Sequence, residues 1–139
     1  PYVIEYNVRM GDPETEAVLP RIKSDFLDLL NSVSNGTLEN QNLVIDKDPA
    51  VTVFLVSGGY PEKYEKNQEI FGLPTVNDSI VFHAGAIKKD KKIVTYGGRV
   101  LAVTSSAETI ELALQKSYSS IKKINFKNMN YRKDIGFDL

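Results

Sequence analysis

Glu5, Asn7 and Arg9 alternate along the run Tyr2-Val3-Ile4-Glu5-Tyr6-Asn7-Val8-Arg9, which passes through Met10 into Gly11-Asp12-Pro13-Glu14. In an extended chain, residues two apart share a face at a spacing of about 6.5–7 Å. A carboxylate and an amide oxygen so placed can converge on one hard cation. Mg²⁺ suits so sparse a set, because water and substrate phosphates complete its octahedron. An arginine two residues further on can reach the phosphates that such a cation bridges. The competing reading is an exposed strand face whose polar residues fall in this order by chance.

Other chemistries find less support. His83 is the single histidine and there is no cysteine, so a zinc site would have carboxylates as its remaining ligands. We expect His83 to be packed or hydrogen-bonded within a strand. No Gly-x-Ser-x-Gly elbow is present, which disfavours covalent acyl catalysis. Neither a Walker loop nor a dinucleotide fingerprint occurs, so the chain supplies no phosphate loop of its own. The lysines at 88–92 and 122–133 read as solvated surface.

Several elements must position these residues. The β-branched and aromatic residues of 2–9 predict a strand with Tyr2, Ile4, Tyr6 and Val8 on one face and Val3, Glu5, Asn7 and Arg9 on the other. Asp12 is the expected cap and Pro13 the expected first residue of a short helix ending near residue 19. A second helix, 20–33, follows from the stripe Ile22, Phe26, Leu29, Leu30 and Val33, with Asn35-Gly36 as its stop. Residues 37–49 are polar and aperiodic and form the candidate boundary or linker.

Beyond that boundary, strands are expected at 50–57, 79–87, 92–96 and 99–104. Lys88–Lys91 should form a hairpin loop and Gly97-Gly98 a tight two-residue turn. The turn would place Arg99 at a domain rim beside the cleft. Ser105 and Glu108 have capping-box spacing for one long helix, 106–124, carrying Ile110, Ala113, Leu114, Ser117, Tyr118, Ile121 and Ile124 on one stripe. Tyr131, Ile135 and Phe137 should dock the tail. The fold class is therefore α+β, mainly antiparallel β with one long packed helix.

The 139 residues are 42% hydrophobic and 25% charged, average for a globular protein, and suffice for one domain plus part of another. Seventeen basic and 18 acidic residues leave a net charge of -1, without the positive footprint that nucleic acid requires. Residues 1–48 hold 9 acids and 4 bases, and 49–139 hold 9 and 13, a step that suits two differently used surfaces and equally two halves of one domain. No apolar run reaches the roughly 18 residues of a membrane span, and the chain shows no signal peptide. These features predict a cytoplasmic protein with neither membrane nor nucleic-acid partners. Pro1 is no natural initiator, and a strand at residue 2 needs neighbours, so coding sequence upstream is expected.

Six blocks of this sequence resemble the glycinamide ribonucleotide synthetase family, also called phosphoribosylamine-glycine ligases, which are ATP-grasp enzymes. They are residues 2–16, Val18-Leu19-Pro20-Arg21 with Ser24-Asp25, Ser57-Gly58-Gly59-Tyr60-Pro61, Val81–Gly85, Gly97–Thr104 and Tyr131–Gly136. They follow the order of the family's C-terminal third.

The resemblance implies that ATP, glycine and 5-phosphoribosylamine give glycinamide ribonucleotide, ADP and phosphate through a glycyl phosphate. It implies Mg²⁺, or Mn²⁺, on Glu5 and Asn7, with Arg9 at the reacting phosphate of ATP. It places Gly11, Asp12 and Glu14 near the amino-acid or ribosylamine side, and we add Arg99 to that substrate-binding set. It further implies that residues 1–45 end an ATP-grasp domain and that 46–139 form a barrel-sandwich-hybrid-like domain. On this view the chain is inactive without the upstream part of the same polypeptide. Another ATP-grasp ligase, such as a carboxylase, and a free-standing β-rich binding domain remain the alternatives.

Overall fold

The computed structural model describes residues 2–4, 6 and 8–137. Helix α1 (Thr15–Val18) runs into a 3₁₀ turn, Leu19–Arg21, where Pro20 interrupts the α-helical bonding. Helix α2 (Phe26–Asn35) begins later than its apolar stripe suggests. Asp25 caps it, its carboxylate accepting from Leu27 N at 2.9 Å and Asp28 N at 3.1 Å. Gly36, at φ 68°, closes it in the left-handed conformation that favours glycine. Asp25→Ala should therefore cost about 1 kcal/mol in a denaturant titration of the chain, the usual worth of such a cap.

Ile22, expected inside that helix, instead bridges Ile45. The polar stretch after α2 is tied down there. Arg21 donates to the carbonyls of Asp46 and Asp48, and Lys23 pairs with Asp46 at 2.8 Å. The Lys23 hydrogen bond, aided by the amide of Asp48, holds the Asp46 carboxyl below its usual range.

The body is an antiparallel sheet in the order β2-β5-β1-β6, from β1 (Ala50–Ser57), β2 (Ile80–His83), β5 (Arg99–Ser106) and β6 (Met129–Asn130). A separate hairpin pairs β3 (Ala86–Lys89) with β4 (Lys92–Thr95). Its turn is Asp90-Lys91, both at positive φ, as a two-residue turn demands. The expected strand 79–87 is thus two strands. They part at Ala84-Gly85, so β2 joins the main sheet and β3 the hairpin.

Gly97-Gly98 is not a hairpin turn, because β4 and β5 lie in different sheets and neither glycine has positive φ. It is a crossing where backbones nearly touch. A Cβ on Gly85 would meet Gly97 Cα at 2.6 Å, and one on Gly98 would meet the Tyr60 ring at 2.0 Å.

Helix α3 (Ile110–Ile121) is capped by Thr109, whose hydroxyl accepts from Leu112 N, and not by the Ser105/Glu108 box. Ser105 is part of β5 and bonds Ser79 instead. The helix lays Ala113, Ser117 and Ile121 on the sheet face that carries Val53, Leu55, Leu101 and Val103. Ile124 and Phe126 extend this core beyond the helix. Its buried hydroxyls are satisfied, Ser120 through Ser79 and Ser117 through Val51 O. Tyr131 and Ile135 pack against the core as expected, whereas Phe137 stays 76% exposed.

The predicted strand over 2–9 is corrected. None of its described residues is in a strand, and Tyr2, Ile4, Tyr6 and Val8 are exposed. A strand needs ladder hydrogen bonds from a neighbour, and none of the described residues of this stretch is paired with another segment.

Candidate functional site

Met10–Glu14 turns the chain back onto itself. Gly11 is buried, and its amide donates to Glu14 Oε1 at 2.8 Å. Its carbonyl accepts from the amide and hydroxyl of Thr15. A Cβ on Gly11 would lie 2.6 Å from the Glu14 carboxylate, so a larger residue here would push that side chain off the Gly11 amide.

Asp12, expected to cap α1, serves elsewhere. Its carboxylate meets Arg99 Nη2 at 3.3 Å, and its carbonyl accepts from Arg99 Nη1 at 3.3 Å. Charge attraction draws it to the guanidinium, and α1 starts after Glu14.

Arg99 reaches this turn because of a β-bulge. Leu55 pairs with Leu101, but the next residue, Val56, pairs with Arg99. Directly opposed residues share a face, so Arg99 joins Val56 and Phe54 instead of the core face of Leu101. Its guanidinium lies 5.7 Å from the centre of the Phe54 ring. Re-aiming one side chain is a common use of bulges beside functional sites.

Together these residues wall an open cleft of about 660 Å³ that includes Arg9, Asp12, Glu14, Glu16, Ala84 and Arg99. Arg9 is exposed and bonds the carbonyl of Met10. Glu16 was not singled out by its sequence, yet its Oε2 is buried with no hydrogen-bond partner among the described residues. Such an oxygen suits a donor from a bound molecule. Only its position in the same acidic run could have pointed to it.

Glu5 and Asn7 lie outside the described residues. Among the described residues no cluster of three or more His, Asp or Glu could hold a metal. His83 ends the edge strand β2 with its side chain exposed, not packed, and the cleft wall carries its neighbour Ala84.

A family profile described as phosphoribosylglycinamide synthetase, C domain, matches residues 50–138. The chain belongs to this family. A phosphoribosylamine-glycine ligase of Fusobacterium nucleatum is 46% identical over 139 residues, covering 97% of this chain and 33% of that protein. The trifunctional purine biosynthetic protein adenosine-3 of Gallus gallus is 45% identical over 99% of this chain and 14% of its own length. A crystal structure of the phosphoribosylamine-glycine ligase of Thermotoga maritima superposes with a TM-score of 0.80 at 37% identity, over 96% of this chain and 33% of that one. The chain thus spans about a third of these single-activity ligases. The small α+β architecture is that of the phosphoribosylglycinamide synthetase C domain, continued on its N-terminal side by the Arg9–Glu16 turn. No helix among the described residues is long and apolar enough to cross a membrane.

Proposed function

We propose that this chain acts as the C-terminal part of an ATP-dependent ligase that joins glycine to 5-phosphoribosylamine, and that it needs the preceding part of the same polypeptide for turnover. The observation that carries this is the Asp12–Arg99 pair: it joins the acidic turn to the sheet and builds one cleft from two distant stretches of chain. The share of each ligase covered by the chain supports the dependence on an upstream part. So do the exposed apolar residues Tyr2, Ile4, Tyr6 and Val8, which present surface for neighbouring strands.

Glu5 and Asn7 are the proposed holders of Mg²⁺ or Mn²⁺, which when bound neutralises charge on the phosphates of ATP. Arg9 stabilises the transferring phosphoryl group from its exposed position at the cleft mouth. Gly11 and Glu14 hold the turn, Asp12 and Arg99 orient substrate, and Glu16 Oε2 accepts from its amine. Residues 1–45 end the ATP-grasp domain, and 46–139 form the barrel-sandwich-hybrid-like domain that closes over the cleft. The start of the family match at residue 50 supports that division. A cytoplasmic location accords with these small, soluble substrates.

The test is ATP hydrolysis by the intact gene product with Mg²⁺ and with glycine and phosphoribosylamine added singly or together. Hydrolysis that requires both is the expected result. Hydrolysis indifferent to glycine would keep the family and overturn the substrate assignment.

A further inference from the structure

A second groove, of about 490 Å³, opens on the other side of Arg99. Its floor is the β1 face that carries Thr52, Phe54 and Val56, and its far wall is the segment Asn130–Ile135. Two guanidinium groups line it. Arg99 is shared with the acidic cleft, and its contacts to Asp12 are long, so a more highly charged anion can compete for it. Arg132 is held in one orientation by Asp134, with Nε–Oδ1 and Nη2–Oδ2 both at 2.9 Å. That pairing holds the Asp134 carboxyl below its usual range.

The two clefts differ in chemistry. The first sets Asp12, Glu14 and Glu16 beside Arg9 and Arg99, and its unpartnered Glu16 Oε2 suits an amine. The second combines an apolar floor with two arginines and suits a sugar face ending in a phosphate, which arginine matches bidentately. Asn130 accepts from Tyr131 N through Oδ1, which leaves its NH₂ to donate to a hydroxyl.

We propose that this groove is the subsite for the phosphorylated pentose of the amine substrate, with the phosphate met by Arg99 and Arg132 and the reacting amine directed past Arg99 into the acidic cleft. This rests on the ligase reading above. It adds Phe54, Val56, Asn130 and Arg132 as residues that select the ribosylamine over smaller amines.

The experiment uses the intact ligase with ribose 5-phosphate as a stable probe and ribose as its phosphate-free control. Ribose 5-phosphate should compete with phosphoribosylamine and not with glycine or ATP, and ribose should not compete. Arg132→Gln should raise both the KM for phosphoribosylamine and the Ki of ribose 5-phosphate about tenfold, the scale of one charged hydrogen bond. The KM values of glycine and ATP should stay within about twofold, and Arg132→Lys should recover part of the loss.

Val56→Trp, which fills the groove and leaves the Arg132–Asp134 pair intact, should abolish ribose 5-phosphate binding measured directly by calorimetry. Unchanged affinity in both Arg132→Gln and Val56→Trp would overturn the subsite, as would a loss confined to glycine or ATP. Should the intact protein not use phosphoribosylamine, the ligase reading fails by itself. The calorimetric titration then still decides whether the groove takes a sugar phosphate.

Discussion

Glu5→Ala and Asn7→Ala, each made in the intact ligase, should lower Mg²⁺-dependent turnover about a hundredfold or more. Losing a residue that merely orients a metal ligand costs about 10–100-fold, and a direct ligand carries at least that much. In the proposed site Glu5 and Asn7 are the two protein ligands, so removing either would leave one, and phosphate and water ligands would not restore the geometry that Mg²⁺ demands. The loss should be partly reversed by raising Mg²⁺ for Asn7→Ala, because a neutral oxygen contributes less charge than the Glu5 carboxylate. Steady-state kinetics across a Mg²⁺ titration is the measurement. Near-normal turnover in either variant would remove that residue from the metal site.

Gly72→Ala should destabilise the folded chain by about 3 kcal/mol or more, the range reserved for overpacking and backbone strain acting together. Gly72 has φ 85°, and a Cβ there would meet the carbonyl oxygen of Lys123 at 1.8 Å and its carbon at 2.8 Å. Those atoms are backbone just past α3, so no rotamer change relieves the clash. The segment cannot simply swing away either. Phe71 and Asn125 exchange both backbone hydrogen bonds at 2.8 and 3.1 Å, and Thr75 bonds back to Gly72 O through its hydroxyl.

The internal control is Gly36→Ala. Its φ of 68° carries the same left-handed penalty, but a Cβ there meets nothing within 4 Å. It should lose only about 1 kcal/mol, the intrinsic cost of that conformation. Urea titrations of both variants give the comparison. Equal losses would show that the clash relaxes and that φ alone sets the cost.

Periodicity revealed the body of the fold because burial enforces it. Val53, Leu55 and Ser57 alternate with Thr52, Phe54 and Val56 in the sequence as they do across the sheet. The stripe Ala113-Ser117-Ile121 likewise predicts the face that α3 buries. Local signals failed where a competing partner lay far along the chain. Asp12 has the residue type and position of a cap, but Arg99, 87 residues away, holds its carboxylate. Ser105 and Glu108 have capping-box spacing, but β5 continues through Ser106 and leaves the cap to Thr109. Gly97-Gly98 reads as a turn because glycine permits one. It serves instead to let the backbones at 85 and 97 approach.

The sequence by itself determined the α+β class, the antiparallel strands, the packed helix and the six blocks that resemble the phosphoribosylamine-glycine ligases. These depend on residue type and short spacing, which local chain geometry converts directly into structure. Only the tertiary structure decided that Arg99 faces the acidic turn and not the core, because a one-residue slip between Leu55 and Val56 reverses the face and no residue type at those positions announces it. The orphaned Glu16 Oε2 and the groove between β1 and the segment Asn130–Ile135 likewise exist only once distant segments meet. A cleft belongs to no single stretch of chain, so its floor residues read in sequence as ordinary strand.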